Sequence, residues 1–234
     1  QAPSVLIFEK YIRVFFSGRP HADQNGQYVS YTGYVDLNRN NLFDILHISE
    51  KPILPLGEKG SFDEFGIYPT SVLRYNERIY AYYGGWTRCE SVPFDVAIGL
   101  AYSDDNGNTF NKAGTGPVLS YSINEPFVLS GPKIRRYNNK WYLWYIAGSK
   151  WIENQGNPEP VYKIRMAISN DGINWIKENR NLIENKLEED EAQASPDVFF
   201  ANNRYHMFFC YRNSLNFRGK EGGYRIGYAY SLDM

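Results

Sequence analysis

A fourfold internal repeat constrains the fold of this chain more than any other feature. Each repeat opens with a proline, followed by an apolar run, a polar turn and an aromatic run; the four prolines are Pro3, Pro69, Pro132 and Pro196. Asn-containing turns between two runs of β-forming residues predict a hairpin in each repeat. The spacing of about 64 residues therefore marks one structural unit.

A second motif follows the hairpin in most repeats. It occupies residues 98–110 and 164–175 and recurs in shortened form at 226–234. Its pattern predicts two strands joined by a tight turn, and Asp, Asn and Gly are the residues that form this turn. Four strands in a unit of this length are typical of a propeller blade.

The repeats divide one predicted all-β domain, residues 1–234, into units of about 1–62, 63–124, 125–189 and 190–234, of which the last is incomplete. The first unit departs from the pattern, because residues 28–46 lack the Ser-x-Asp-Gly turn. We expect a β-propeller of four-stranded antiparallel blades, of which the chain covers about four, with residues missing at one or both ends. A small propeller closed by exchange of terminal strands is the alternative.

Composition narrows the function classes. Aromatic residues make up 17% of the chain, which suits strands and a half-buried ligand surface. The net charge of −1 argues against a nucleic-acid partner. The spacing of Cys89 and Cys210 indicates neither a zinc site nor a disulfide framework.

Targeting and cofactor motifs are absent from the sequence. No run approaches the roughly 18 apolar residues of a membrane span, and no signal peptide precedes the first repeat, so the expected location is cytoplasmic. No phosphate-binding loop, dinucleotide fingerprint, HExxH or GxSxG occurs, which excludes nucleotide cofactors and serine chemistry.

These motifs resemble those of the five-bladed β-propeller glycosidases, which comprise arabinanase/xylosidase-, invertase- and mannoside-phosphorylase-type enzymes. The resemblance rests on the Pro-x-Val/Ile hairpins, the Ser-x-Asp-Gly turns and the acidic residues ahead of the repeat prolines. It covers essentially the whole chain. Residues 60–69 and 205–212 are similar to a branch of that group often found beside polysaccharide-assembly genes. The resemblance implies five blades and cleavage of a glycosidic bond.

Three repeats carry acidic residues shortly before their proline, where a propeller's innermost strand begins. By analogy we assign Asp63 as base or nucleophile, Glu125 as a second acid and Glu191 as general acid. Glycosidic cleavage commonly needs two carboxyl groups, one protonated and one ionised. Crowding of like charges would raise one pKa. The alternative is that these acids are solvated loop residues.

Cations recur at the end of the second strand of each repeat, at Arg19, Arg88, Lys150 and Arg212. A ring of acids and cations suits an anionic ligand such as a sugar acid, a phosphorylated sugar or inorganic phosphate. The alternative is that these cations pair with nearby carboxylates as a scaffold.

Aromatic, polar and loop residues complete the predicted binding site. Trp86 and Trp151 follow the hairpins and are candidate platforms for sugar rings. His21 and Glu64 are further candidates for substrate binding. Asp197 follows its proline in the manner of the Ala-Pro-Asp element of arabinanase-type enzymes, where it would orient or tune a partner. The polar segments 149–161 and 212–223 are typical of recognition loops.

The sequence thus predicts an enzyme that cleaves a glycosidic bond in an oligo- or polysaccharide. Hydrolysis is the main hypothesis and phosphorolysis a close variant, while a carbohydrate-binding propeller without catalysis is the rival from another class. A protein-interaction propeller would need an exposed apolar face. No cofactor is expected; a structural divalent ion, known in some relatives, has no spacing signal here.

Overall fold

The computed structural model describes residues 2–24, 26–219 and 221–234, without the side chain of Pro69, and these residues contain strands and no helix. The strands are β1 (Ser4–Ile7), β2 (Tyr11–Gly18), β3 (Tyr31–Asn38), β4 (Asn41–Ile48), β5 (Gly66–Tyr75), β6 (Arg78–Thr87), β7 (Asp95–Ser103), β8 (Asn111–Lys112), β9 (Phe127–Tyr137), β10 (Lys140–Asn154), β11 (Asn157–Ser169), β12 (Ile176–Lys177), β13 (Ala192–Ala201), β14 (Arg204–Arg212) and β15 (Arg225–Ser231). The described residues therefore offer no helix that could cross a membrane.

The strands form four antiparallel sheets. Their orders are β1-β2-β3-β4, β5-β6-β7-β8, β9-β10-β11-β12 and β13-β14-β15. Each strand pairs with its neighbour in sequence, which is the meander of a propeller blade. The all-β class and the coverage of about four blades are confirmed, and the last sheet has three strands within the described residues.

The chain divides into two compact units. The first contains Gln1–Cys89 and Phe94–Leu119, and the second contains Glu90–Pro93 and Ser120–Met234. Strands β1–β8 thus belong to the first unit and β9–β15 to the second. The organisation of residues 1–234 as one domain stays a prediction.

Asparagine makes the hairpin turns that the sequence predicts. Asn76 has φ 54°, and the β9–β10 turn places Asn138 and Asn139 at φ 48° and 61°. The β13–β14 turn does the same with Asn202 and Asn203. Asparagine tolerates this left-handed conformation better than other residues with a side chain, so the turns sit where the pattern predicts them.

Each unit has its own hydrophobic core. In the first, Phe15 and Phe110 meet edge-to-face, with ring centroids 5.8 Å apart. Phe110 closes the turn motif after β7, so the repeat's final aromatic residue packs back on the sheets. In the second, Trp144 and Ile164 are buried among the strands.

Irregularities interrupt the first strand of three sheets at the repeat proline. The register shifts between Ile67 and Thr70 on β5 and between Ala194 and Asp197 on β13. On β9 the shift lies around Gly131, which has φ 61°. Such bulges re-aim the following side chains.

Candidate functional site

Asp63 is buried in the first unit, with 1% of the residue exposed. Its Oδ2 accepts a hydrogen bond from the Tyr83 hydroxyl at 3.0 Å. Lys112, on the short fourth strand β8, brings its Nζ to 2.6 Å from the same oxygen. A buried carboxylate needs such partners to offset its lost hydration.

Glu125 has a matching environment in the second unit and is fully buried. Its Oε1 accepts hydrogen bonds from the Tyr145 hydroxyl at 2.8 Å and from Arg165 at 3.3 Å. Lys177 Nζ, on the fourth strand β12, lies 2.5 Å from Oε2. Two cations therefore surround this one carboxylate.

The two sites are copies of one network, since each carboxylate lies 20 residues before its tyrosine. We call this carboxylate, tyrosine and fourth-strand lysine the buried triad. Burial and the nearby carboxylate raise the pKa of Tyr83 and of Tyr145 well above the usual value. Both tyrosines therefore stay neutral and donate their hydroxyl protons.

Glu191 is also fully buried but has a different environment. Its Oε2 accepts hydrogen bonds from the backbone N–H groups of Lys186 and Leu187 at 2.7 and 2.9 Å, and Gln193 donates to Oε1 at 2.9 Å. Its sheet has no fourth strand within the described residues, and no described cation forms an ion pair with it. Lys163 instead contacts its backbone carbonyl.

The three predicted catalytic carboxylates are thus buried, and each accepts at least one hydrogen bond, although Asp63 Oδ1 has no hydrogen-bond partner within the described residues. Asp63 has Lys112 and a tyrosine hydroxyl beside it, and Glu125 has two cations and a tyrosine hydroxyl, whereas the crowding of like charges stays a prediction. Asp63 belongs to one unit and Glu125 and Glu191 to the other. Their convergence and their catalytic roles stay predictions.

Most of the predicted binding residues of the first unit have partners within that unit. Trp86 donates its indole N–H to Ser30 Oγ at 2.7 Å. Arg88 stacks 4.1 Å from the Phe65 ring centroid. Three other candidates belong to the same unit: Glu64 accepts a hydrogen bond from the Gly60 backbone, His21 is exposed, and Arg19 lies 5.5 Å from the Tyr68 ring centroid.

In the second unit, Lys150 and Trp151 lie on the extended end of β10. Lys150 Nζ is 2.5 Å from Asp190 Oδ1 in a partly exposed ion pair. Trp151 is half-buried, with its ring centroid 6.2 Å from that of Phe127. This Lys–Asp pair is the arrangement that the scaffold alternative expected.

Arg212 is buried inside an aromatic cluster rather than facing solvent. Its guanidinium lies 3.6 Å from the Phe217 ring centroid. It also donates hydrogen bonds to the hydroxyls of Tyr224 and Tyr162, both at 3.2 Å. Because Arg212 also donates hydrogen bonds to the backbone carbonyls of Asn213 and Ser214, it holds the start of the β14–β15 loop in place.

A cleft of about 340 Å³ opens between the two predicted recognition loops, and we call it the loop cleft. Glu159 and Arg218 form an ion pair across it, and the Phe217 ring lies beside Arg218 at 4.3 Å. The remaining wall is rich in side-chain amides. They belong to Asn154, Gln155, Asn157 and Asn216.

Asp197 joins two cations on the neighbouring strand β9. Its Oδ2 lies 2.8 Å from Lys133 Nζ and its Oδ1 2.8 Å from Arg135 Nη2. The Asp197 side chain remains 52% exposed. Sequence reasoning named Asp197 but missed both cations, although Lys133 and Asp197 each directly follow a repeat proline.

The described residues contain no group of three or more His, Cys, Asp and Glu side chains arranged to hold a metal ion. The expectation that no cofactor is needed stays a prediction.

Comparison with known sequences finds relatives without an assigned activity. No family model matches the chain. Two uncharacterized proteins of Mycobacterium tuberculosis, from strains CDC 1551 / Oshkosh and ATCC 25618 / H37Rv, are each 33% identical over 202 residues. The match covers 86% of this chain, and the chain spans 65% of the length of each relative.

Comparison with solved structures is more informative. A structure described as a glycoside hydrolase has a TM-score of 0.73 at 15% identity, over 98% of this chain and 65% of its own length. The Bombyx mori GH32 beta-fructofuranosidase scores 0.70 at 18% identity, over 99% and 46%. A thermostable family-43 glycoside hydrolase scores 0.66 at 16% identity, over 99% and 68%.

The chain has the β-propeller fold of the glycoside hydrolases. The resemblance found in the sequence is therefore confirmed at the level of the fold. At these identities the glycoside hydrolase fold carries no assignment of substrate or catalytic residues. The number of blades in the whole protein also stays a prediction.

Proposed function

We propose that this protein binds a saccharide in the loop cleft of the second unit. The observation that carries the proposal is the lining of that cleft, which combines four side-chain amides with the Glu159–Arg218 ion pair. Amides and paired charges both donate and accept hydrogen bonds, as the hydroxyl groups of a sugar require. The charges of the pair cancel, so the cleft suits a neutral sugar.

The dimensions and position of the cleft support the same proposal. Its volume of about 340 Å³ lies within the roughly 300–1,000 Å³ of small-molecule pockets. It is formed by the end of the β10–β11 hairpin and by the β14–β15 loop. Loops on a rigid β scaffold are common places for recognition.

Cleavage of a glycosidic bond, by hydrolysis or phosphorolysis, is the second candidate because the fold favours it. Cleavage needs an acid and a base or nucleophile that reach the substrate. Asp63, Glu125 and Glu191 are buried, and all three already accept hydrogen bonds. We therefore rank binding above cleavage.

A pair of matched substitutions tests the binding proposal. Asn216→Gly removes an amide from the cleft, while Asn203→Gly removes one from the β13–β14 turn; both positions have positive φ, which glycine adopts freely. On a panel of neutral and acidic oligosaccharides, we expect Asn216→Gly to weaken the best binder about tenfold, the loss of roughly 1.4 kcal/mol. Asn203→Gly should bind normally. Equal affinity of both variants would remove the loop cleft from the proposal.

A release assay separates binding from cleavage. The same oligosaccharides are incubated with the protein, with and without inorganic phosphate, and reducing sugar is measured. We expect binding without release. Release that is lost in folded Asp63→Asn, Glu125→Gln or Glu191→Gln variants would instead favour the enzyme, and dependence on phosphate would indicate a phosphorylase.

A further inference from the structure

A second charged cluster lies on the first strands of two sheets in the second unit and shares no residue with the lining of the loop cleft. Strand β9 supplies Lys133 and Arg135, and strand β13 supplies Asp197. The Arg135 guanidinium also donates hydrogen bonds to the backbone carbonyls of Val198 and Ile134, each at 2.9 Å. Those bonds fix the guanidinium beside the carboxylate.

The cluster has more positive than negative charge. Two cations share one carboxylate, and each Asp197 oxygen already has one cation at 2.8 Å. Lys133 Nζ carries three donors but has only Asp197 as a hydrogen-bond partner among the described residues. Burial and the adjacent Arg135 lower the pKa of Lys133 in spite of Asp197.

The fold does not require charged side chains directly after the repeat prolines, where Lys133 and Asp197 lie. In the first unit the residues directly after the repeat prolines are Ser4 and Thr70. The Ser4 hydroxyl accepts a hydrogen bond from the Val72 N–H at 3.1 Å, and Thr70 lies 3.3 Å from the Thr32 hydroxyl. Neutral side chains thus occupy the position after the proline in the first unit. The charged side chains of Lys133 and Asp197 at the same position in the second unit therefore need another explanation.

We propose that Lys133 and Arg135 form an anion-binding site that takes a carboxylate or phosphate group of a ligand. Asp197 is the resident counter-ion, which keeps the two cations compensated when no ligand is bound. Because its side chain is about half exposed, Asp197 can turn into solvent when a ligand anion replaces it. This site stands independently of the loop cleft and of its proposed saccharide.

Removal of the counter-ion provides the test, with inorganic phosphate and glucuronate as probes. Asp197→Asn leaves both cations without their carboxylate, so we expect phosphate, glucuronate or both to bind the variant at least tenfold more tightly than the parent protein in calorimetry. Adding Lys133→Met should abolish that gain. The preferred probe tells whether the site favours phosphate or carboxylate.

Asp104→Asn is the matched control, because it frees Arg78 from an exposed ion pair in the other unit. A gain in anion affinity equal to that of Asp197→Asn, or a gain that survives Lys133→Met, would overturn the proposal. If Asp197→Asn fails to fold, the single variant Lys133→Gln decides. It should weaken phosphate or glucuronate binding at least fivefold, and unchanged affinity for both probes would reject the site.

Discussion

The sheets β5–β8 and β9–β12 contain the same buried triad but differ around it. Asp63, Tyr83 and Lys112 repeat as Glu125, Tyr145 and Lys177. By contrast, β10 and β11 extend into a long hairpin that lines the loop cleft, whereas β6 already ends at Thr87 and β7 begins at Asp95.

The difference separates two kinds of polar residue. The triad that repeats in these two sheets is buried and linked by ion pairs and hydrogen bonds, as expected of a network that stabilises a blade, although Asp63 Oδ1 has no hydrogen-bond partner among the described residues. The features that do not repeat are more exposed: the loop cleft and the Lys133–Asp197–Arg135 cluster. Repetition therefore indicates a structural role here, and departure from repetition indicates a candidate ligand site.

The largest expected effect is that of Glu125→Gln. This substitution leaves Lys177 and Arg165 without their carboxylate, and removal of one partner from a buried pair costs about 3–5 kcal/mol. Urea unfolding measures the loss. The double variant Glu125→Gln/Lys177→Met should recover part of it, whereas unchanged stability with lost sugar release would assign Glu125 to catalysis.

Asp63→Asn sharpens the comparison, because among the described residues one cation pairs with Asp63, whereas two pair with Glu125. We expect a loss of about 3 kcal/mol, at the lower end of the range for buried pairs. The same urea experiment compares the two variants directly. A larger loss for Asp63→Asn than for Glu125→Gln would contradict the ranking.

The tyrosines provide a test at alkaline pH. Because the folded state raises the pKa of Tyr83 and of Tyr145, their stabilising effect is complete below the unfolded pKa of about 10 and is lost as pH rises above it. Tyr83→Phe and Tyr145→Phe should each cost about 1.5–3 kcal/mol at pH 7, as for hydrogen bonds to charged groups. Their stability should also fall less steeply than the parent's above pH 10.

The smallest effects are expected at the turn motifs. Hydrogen bonds from the backbone of Asn174 and Ile173 lower the pKa of Asp171, and at Asp105 hydrogen bonds from Thr109 and Ser103 do so against the opposing effect of burial. Both carboxylates therefore stabilise the fold above pH 4, and this effect is lost as pH falls further. Asp171→Asn and Asp105→Asn should lower the melting temperature by a few degrees at pH 7. The difference from the parent should shrink at pH 2.

Much of the fold could be predicted because its signals are local. Asn138 and Asn139 mark a turn through their own conformational preference, and the apolar and aromatic runs mark the strands on either side. The repeat then joins these local signals into blades. The cleft-forming segments 149–161 and 212–223 were also visible as interruptions of that repeat, although the predicted loop 149–161 is the end of the β10–β11 hairpin.

The candidate site was less predictable because its chemistry depends on distant partners. Asp63 and Glu125 stand out in the sequence, but whether such a carboxylate is free or paired depends on Lys112 and Lys177, which arrive on the fourth strand of each sheet. The recurring distance to the tyrosine was the one available signal. That equal separation alone does not show that the carboxylate and the tyrosine hydroxyl are in contact, which the structure shows.

The amino-acid sequence by itself determined the β class, the repeat and the positions of the turns, since these depend on the preferences of neighbouring residues. The tertiary structure alone decided which charges are compensated. Hydration and ion pairing depend on every side chain within a few ångströms, and residues such as Asp197 and Lys133, 64 positions apart, meet only after the sheets have formed.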